Sequence, residues 1–548
     1  MSNARLLFRL RQLVLPAAGF IALGCHAGSA PAADINVTIN PAHTHPISPY
    51  IYGINFAGKV DGLPAALTLD RAGGNRWTAY NWTTNASNAG SDYYFQNDKY
   101  LSDSSSPGAA VFDLIRGDQK AGMASLITVP LQGLVAGDDK GPVNVDHPPD
   151  RSRFKTVVFQ KKSLSTEPFT TSPSTRDAAV YMDEFLFAVD KKFAGQDVFG
   201  PKPTSQPVFV EFDNEPDLWN HTHLEIQGPK LPTSDTFIEK TVSLATALKT
   251  QFPALTIMGP ANFGFYGMYT WSGEISPTPD GNNWFADRYM LALREASRAF
   301  GKPLVDVYAF HWYSEATDGQ NNRVTGLKTP TLTDAQVQAL VQSPRSLWDA
   351  TYKENSWISQ TLGGPINILG RLQARIDADN PGMKIAITEY NNGGGQHIAG
   401  AVAQADTLGI FGARGLFAAN FWPLGTGEEY LLAGFRAFRD FDGAKHSFGD
   451  TSVEAVSSDA AKVAAYVSTD TSRPGRVVIV AINRTMAAQS TTLTGQPLTG
   501  TAHLFQISAT TSKGQKNVRP AAAGTQPATG SALTVALPPM SITTIDVY

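Results

Sequence analysis

The sequence predicts an α/β protein, a (β/α)8 barrel carrying an all-β sandwich assembled from both ends of the chain. Three observations predict it. Between residues 50 and 427, apolar strand-like runs alternate with amphipathic helical stretches, the pattern of a parallel sheet. The length of that region favours a closed barrel over an open sheet. From residue 428 onward the pattern changes to short period-two segments separated by Gly, Pro, Ser and Thr, as in a sandwich. Ahead of the barrel, Asp34–Ile39 reads Asp-Ile-Asn-Val-Thr-Ile, an alternating strand with almost no linker after it. It is expected to pair into the C-terminal sheet, so residues 33–49 and 428–548 are assigned to the sandwich.

Residues 1–32 read as an export signal. Arg5, Arg9 and Arg11 precede the apolar stretch Leu13–Gly24, and a small-residue segment ends at Ala30-Pro31-Ala32-Ala33. The apolar stretch is too short to span a bilayer. The single cysteine, Cys25, lies inside this segment, so cleavage leaves a cysteine-free protein outside the cytoplasm, secreted or periplasmic. Lipidation at Leu23-Gly24-Cys25 is the alternative fate.

Strands are expected at Leu67–Arg71, Ala124–Val129, Val208–Phe212, Thr256–Gly259, Val305–Phe310, Ile385–Thr388 and Leu416–Phe421. Helices are expected at Asp177–Lys192, Thr236–Lys249, Trp284–Ala299, Asp334–Val341, Ile366–Ala378 and Ile398–Phe411. A barrel needs an eighth strand, and Thr156–Gln160 is the candidate, which makes Glu215 the end of the fourth strand and Glu389 the end of the seventh. Past residue 428, strands are expected at Lys462–Ser468, Arg476–Asn483, Ser490–Thr494, Ala502–Ile507, Ala532–Leu537 and Ser541–Val547, with Gly514–Gly530 as a long loop.

Charged residues make up 17% of the 548, below the roughly 25% of typical soluble domains. The net charge is -4 and the basic residues are scattered, which points away from nucleic acid and from anionic membrane surfaces. His221-x-His223 is a pair without a third ligand nearby and reads as surface.

Two runs carry the chemistry: Val208-Phe209-Val210-Glu211-Phe212-Asp213-Asn214-Glu215-Pro216 and Ile385-Ala386-Ile387-Thr388-Glu389-Tyr390. Taken alone, Asn214-Glu215-Pro216 is an ordinary helix start. The pair says more, because both glutamates end apolar strands, and strand ends converge on the C-terminal mouth of a barrel. Two facing carboxyls suffice to cleave a glycosidic bond. Glu215 is assigned as general acid/base, because Asn214 beside it can donate to a sugar hydroxyl. Glu389 is assigned as nucleophile, with the Tyr390 phenol placed to hold it. Glu211 and Asp213 share the strand parity of Glu215 and are expected to support it by hydrogen bonding.

Other strand ends supply what a sugar site uses: aromatic faces for the C–H face of a pyranose, and Asn, His and Arg for its hydroxyls. The candidates are Arg71 and Asn75 with Trp82 soon after, Asn214 and Trp219 beside the acid, and His311-Trp312-Tyr313. Tyr390 and Trp422 complete the set.

The chain resembles glycoside hydrolase family 44, the secreted endo-β-1,4-glucanases. The resemblance runs through Arg71-x-Gly-Gly-Asn75, Thr78-x-Tyr80-Asn81-Trp82, Asn85-x-Ser87-Asn88-Ala89-Gly90-Ser91-Asp92 and Asp213-Asn214-Glu215-Pro216-Asp217-Leu218-Trp219. It continues through Val305–Tyr313, Ile387-Thr388-Glu389-Tyr390-Asn391 and Phe421-Trp422-Pro423-Leu424. It implies a barrel with a sandwich from both chain ends, a retaining mechanism on cellulose-type glucans or xyloglucan, and Glu215 and Glu389 as the catalytic pair. It also implies a structural calcium, with Asp92 as a candidate ligand, and no cofactor for the chemistry. A monomer is expected. The rival readings are a xylanase or arabinofuranosidase of the same build, a carbohydrate-binding protein with an inactive barrel, and a metal-dependent hydrolase; His311 alone is too few ligands for the last.

Overall fold

A computed structural model describes residues 35–548 except Ala65, so the predicted export segment lies outside the described residues. Eight parallel strands close into a barrel. They are β1 (Gly53–Asn55), β2 (Leu69–Ala72), β3 (Ala124–Val129), β4 (Val208–Phe212), β5 (Ile257–Asn262), β6 (Val307–Tyr313), β7 (Lys384–Asn391) and β8 (Ala418–Phe421).

The eighth strand is not where the sequence placed it. Phe154–Val158 belongs to a three-stranded sheet with Leu134–Ala136 and Ala179–Tyr181, separate from the barrel. The barrel is closed instead by β1, which pairs with β2 and β8. At three residues it is too short to show a period. Gly53 is required there, because a Cβ would sit 2.6 Å from the Ala419 carbonyl oxygen. The exchange leaves the count unchanged: Glu215 follows β4 and Glu389 lies on β7, while Arg71 moves from the first strand to the second.

Inward-facing residues fall in layers, because alternate residues of a strand share a face. The lower layer is apolar: Leu69, Ala124, Leu126, Phe209, Met258, Val307, Ala309, Ala386 and Ala418 pack together, with Tyr50 and Phe417 against Phe209. Two residues further along β2, β4 and β6 come Arg71, Glu211 and His311, all fully buried. The fold thus sets a charged layer on an apolar plug.

On β7 the alternation is broken on purpose. Phe310 pairs with Ile387 but His311 pairs with Glu389, so Thr388 is an extra residue in the ladder. A bulge re-aims the side chains after it. Without Thr388 bulged, Glu389 would share the outward face of Ile387; with it, Glu389 turns inward and Tyr390 outward.

The helices follow the expected spans to within a few residues, apart from the helix expected at Asp177–Lys192, which spans Met182–Lys192 after the short strand Ala179–Tyr181. Two longer helices, Ala109–Ala121 and Glu429–Arg436, escaped the periodicity, as did shorter ones such as Phe265–Thr270 and Trp357–Leu362. Glu429–Arg436 corrects the expectation that helices cease at residue 428; the sandwich strands that follow begin at Thr451. Ile35–Pro46 pairs antiparallel with Thr451–Ser457 and parallel with residues 491–494. The long strand Gln489–Ile507 shifts register between 494 and 498, and its second half pairs with Ser541–Val547, folding the sheet back on itself. The enclosed core includes Ile35, Val37, Val467, Ile479, Leu493, Val535 and Ile545. Most of the expected loop Gly514–Gly530 is strand: Ala521–Leu537 runs alongside Gln489–Ile507.

Helix Ile398–Ala413 lies between barrel and sandwich, which explains why it is buried on every face and mostly apolar. Its Asp406 takes both Arg484 and the Tyr466 hydroxyl from sandwich strands, at 2.7 and 2.6 Å. Asp406 and Arg484 are both fully shielded from water. The pairing fixes one domain to the other.

Candidate active site

Arg71 is the hub. Its guanidinium has five N–H donors, and each meets a side chain. Nε donates to Glu211 at 2.5 Å; Nη1 donates to Glu389 at 2.7 Å and Asn55 at 3.1 Å. Nη2 donates to Asn214 at 3.0 Å and faces His311 Nε2 at 3.5 Å. Space for it comes from Gly73, where a Cβ would lie 2.1 Å from Nη1. Because an N–H of Arg71 faces His311 Nε2, that nitrogen is the acceptor and Nδ1 carries the proton. Nδ1 then donates to Glu215 Oε1 at 2.8 Å. Burial, aided by Arg71 and opposed by Glu389, pushes His311 down to about 4, so the ring is neutral near pH 7.

The two glutamates meet across this hub. One oxygen from each and a nitrogen of His311 lie within 4.8 Å of one another. Retaining glycosidases hold their carboxyls about 5–5.5 Å apart, while inverting ones leave about 6.5–9.5 Å for a water. The spacing is the retaining one. Burial raises Glu215 to about 7, with Arg71 pulling it down and Asp92 up. Burial also raises Glu389, but His311 and Arg71 oppose the rise, and Tyr313 donates to its other oxygen at 3.0 Å. Hydrogen bonds to the ionised form favour it. Glu215 has one such donor and Glu389 has two, so Glu215 keeps its proton longer.

The turn that delivers Glu215 is strained. Asp213 and Glu215 have φ of 58° and 44°, the left-handed region that costs about 1–3 kcal/mol for a non-glycine residue. Asp213 holds it: its carboxylate accepts from Thr78 Oγ1, Leu131 N, Gln132 N and Asn214 N at 2.6–2.9 Å. Glu211 and Asp213 therefore stand in supporting positions. Asn214 accepts from Arg71 and from Gly74 N, leaving its amide N–H groups turned toward Asn75.

A groove of about 560 Å³ adjoins this cluster, lined by Phe56, Asn75, Trp77, Tyr93, Tyr100 and Trp422 among others. Of the predicted sugar contacts, Asn75 and Trp422 line it, and Arg71, Asn214, His311 and Tyr313 surround the carboxyls. Four do not belong there. Trp82 is buried, stacks on Phe185 and donates to the Tyr181 carbonyl. Trp219 is buried and donates to the Asn214 carbonyl at 3.2 Å. Trp312 and Tyr390 face outward between strands and helices, next in sequence to inward residues. The Tyr390 hydroxyl accepts from Gln404, so the phenol that holds Glu389 is that of Tyr313.

Sequence reasoning missed Asn55, because its strand was missed, and the groove residues Trp77, on the one-turn helix Asn75–Thr78, and Tyr93 and Tyr100, in segments too short or irregular to show a period. His223 is not surface: it is buried, paired with Glu225 at 2.8 Å and bonded to the Asn75 carbonyl. Burial lowers its pKa, but Glu225 outweighs that and the net shift is upward.

Glu215, His311 and Glu389 are enough groups in number for a metal ion. Arg71 already sets a positive charge against Glu389, and a metal would face it at close range. Asp92 accepts from Asn75 at 2.7 Å at the exposed rim, and among the described residues no cluster of three acidic or histidine ligands forms around it.

The sequence model of glycoside hydrolase family 44 matches residues 86–316. Endoglucanase A of Paenibacillus lautus is 35% identical over 472 residues, covering 83% of this chain; the chain spans 64% of that relative's length. Among solved structures, Cel44A, a family 44 endoglucanase from Clostridium thermocellum, is 33% identical with a TM-score of 0.83, covering 94% of this chain and 100% of that one. A family 44 xyloglucanase from Paenibacillus polymyxa, solved with xyloglucan, is 32% identical with a TM-score of 0.83, covering 94% and 99%. The fold thus has counterparts over nearly its whole length at more than 30% identity, and the chain belongs to glycoside hydrolase family 44.

Proposed function

We propose that this protein is a retaining endo-β-1,4-glucanase that hydrolyses cellulose-type glucans or xyloglucan by double displacement. The observation that carries the reading is the approach of Glu215 and Glu389 to within 4.8 Å around neutral His311. Glu215, protonated at its raised pKa, gives its proton to the glycosidic oxygen. Glu389, held by Arg71 and Tyr313, attacks the anomeric carbon from the other face and forms a glycosyl-enzyme. The ester removes the negative charge of Glu389, and a like charge nearby disfavours ionisation of a carboxyl. Glu215 then becomes the stronger acid and serves as base for the incoming water. Arg71 supplies the positive charge at the nucleophile, so these steps draw on no cofactor. The open groove with Trp422 at its wall suits an internal stretch of polymer.

Export from the cytoplasm is part of the reading, supported by the basic, apolar and small-residue segments of residues 1–32. Among the described residues no helix is long and apolar enough to cross a membrane. Proton NMR of the first-formed product from a β-glucan tests the mechanism: the β-anomer is expected, and an initial α-anomer sinks it. A parallel panel of cellulose, xyloglucan, xylan and mannan tests the substrate.

A further inference from the structure

Glu211 stands out among buried acids. It is fully shielded from solvent, one oxygen accepts from Arg71 Nε at 2.5 Å, and the other has no partner. It lines no part of the groove. Yet it shares with Glu389 the same cation, bound on two edges of one planar guanidinium.

We propose that Glu211 is a positioning residue that acts through Arg71: by sharing that cation it keeps Arg71 from neutralising Glu389 too strongly, and so sets the pH window of both catalytic carboxyls. The inference rests on the roles of Glu215 and Glu389 proposed above.

Among the described residues no other carboxylate is ion-paired with Arg71 alongside Glu389. From β2 comes Arg71, the one Lys or Arg ion-paired with Glu389 among the described residues. From β6 come His311, neutral near pH 7, and Tyr313, whose phenol burial holds well above its usual range. From β4 and the turn after it come Glu211, Asp213, Glu215 and Asp217; burial raises Asp217 to about 8, and Asp213 is engaged by four donors. Asp92 faces Glu215 from the β2 loop side. Asn55, on β1, is uncharged. Remove the charge of Glu211 and Arg71 acts on Glu389 uncompensated. A better-neutralised carboxylate is a weaker base and a poorer nucleophile, and the same field favours ionisation of Glu215.

Glu211→Gln tests this. The amide oxygen still accepts from Nε, so shape is kept and one charge is lost. A unit charge about 6 Å away at an effective dielectric of about 20 moves a pKa by about 1–2 units. In the pH profile of kcat/KM on a soluble cello-oligosaccharide, both limbs should move to lower pH by about that amount. Glu211→Asp, which keeps the charge, should leave both limbs near their wild-type positions. If Glu211→Gln does not fold, Glu211→Ala, which opens room for water beside Arg71, is read for the same shift. Limbs that stay in place while melting temperature falls, or loss of folding in both neutral variants, overturn the proposal. The catalytic assignment fails separately, if Glu215→Gln or Glu389→Gln keeps activity.

Discussion

Replacing Glu215 by Gln removes one proton donor and leaves the hub intact, since the amide oxygen still accepts from His311 Nδ1. The expected loss follows from the structure. Burial raises Glu215, beside His311, to about 7, and its side chain is 17% exposed. General acid help is worth about 10²–10⁴-fold, so activity on cellulose or xyloglucan should fall by that factor. An aryl glycoside with a very acidic leaving phenol needs no proton, so its burst of phenol should survive in the variant. The alkaline limb of wild-type kcat/KM should lie near pH 7, and two pH units above that limb the rate should drop about 100-fold. The sign is fixed by the role: the acid must be protonated, so activity is lost as pH rises through its raised pKa. In Glu215→Gln the limb should vanish, and added azide should yield a β-glycosyl azide, because the truncated charge opens the face opposite Glu389. An α-azide product means the two roles are reversed. Near-normal hydrolysis of polysaccharide removes Glu215 from the chemistry.

Glu389→Gln should fail on activated and unactivated substrates alike, since no covalent intermediate can form; a phenol burst from this variant refutes its role. Tyr313→Phe deletes the 3.0 Å bond to Glu389 and, at about 1.5–3 kcal/mol for a bond to a charged group, should lower kcat about 10–100-fold without unfolding the chain; Tyr390→Phe, by contrast, should leave kcat within about twofold, and the reverse order would restore the sequence expectation. Arg484→Met strands the buried Asp406 at the domain junction and should cost about 3–5 kcal/mol, read as a lower melting temperature or midpoint in urea; unchanged stability would show that the junction does not depend on this pair. Chelation with EDTA should leave kcat unaltered, because Arg71 supplies the positive charge; an activity lost on chelation and restored by a divalent ion would contradict that.

The fold was legible where burial writes a period. Runs such as Val208–Val210 and Ile385–Ile387 are apolar because both faces are covered, and a glutamate soon after such a run is conspicuous. What stayed hidden depended on single-residue geometry. Gly53–Asn55 is a three-residue barrel strand defined by its pairing with β2 and β8, with a glycine where β8 leaves no room for a Cβ. Trp82 and Trp422 look alike in sequence; one donates to a backbone carbonyl under a helix, the other walls the groove, and only the path of the chain tells them apart.

The assignment of Tyr390 failed for a sharper reason. Adjacent strand residues face opposite ways, so a tyrosine next to an inward Glu389 has to point out. Strict alternation from the outward Ile385 and Ile387 would turn Glu389 outward as well, and its inward aim comes from the bulge at Thr388. That bulge also accounts for Tyr313: with the register moved by one, Glu389 pairs with His311, and the next inward residue of β6, two further on, carries the phenol that reaches its carboxylate. A single extra residue in β7 thus places the nucleophile, selects the tyrosine that holds it, and turns Tyr390 into packing against Phe411 and Phe421.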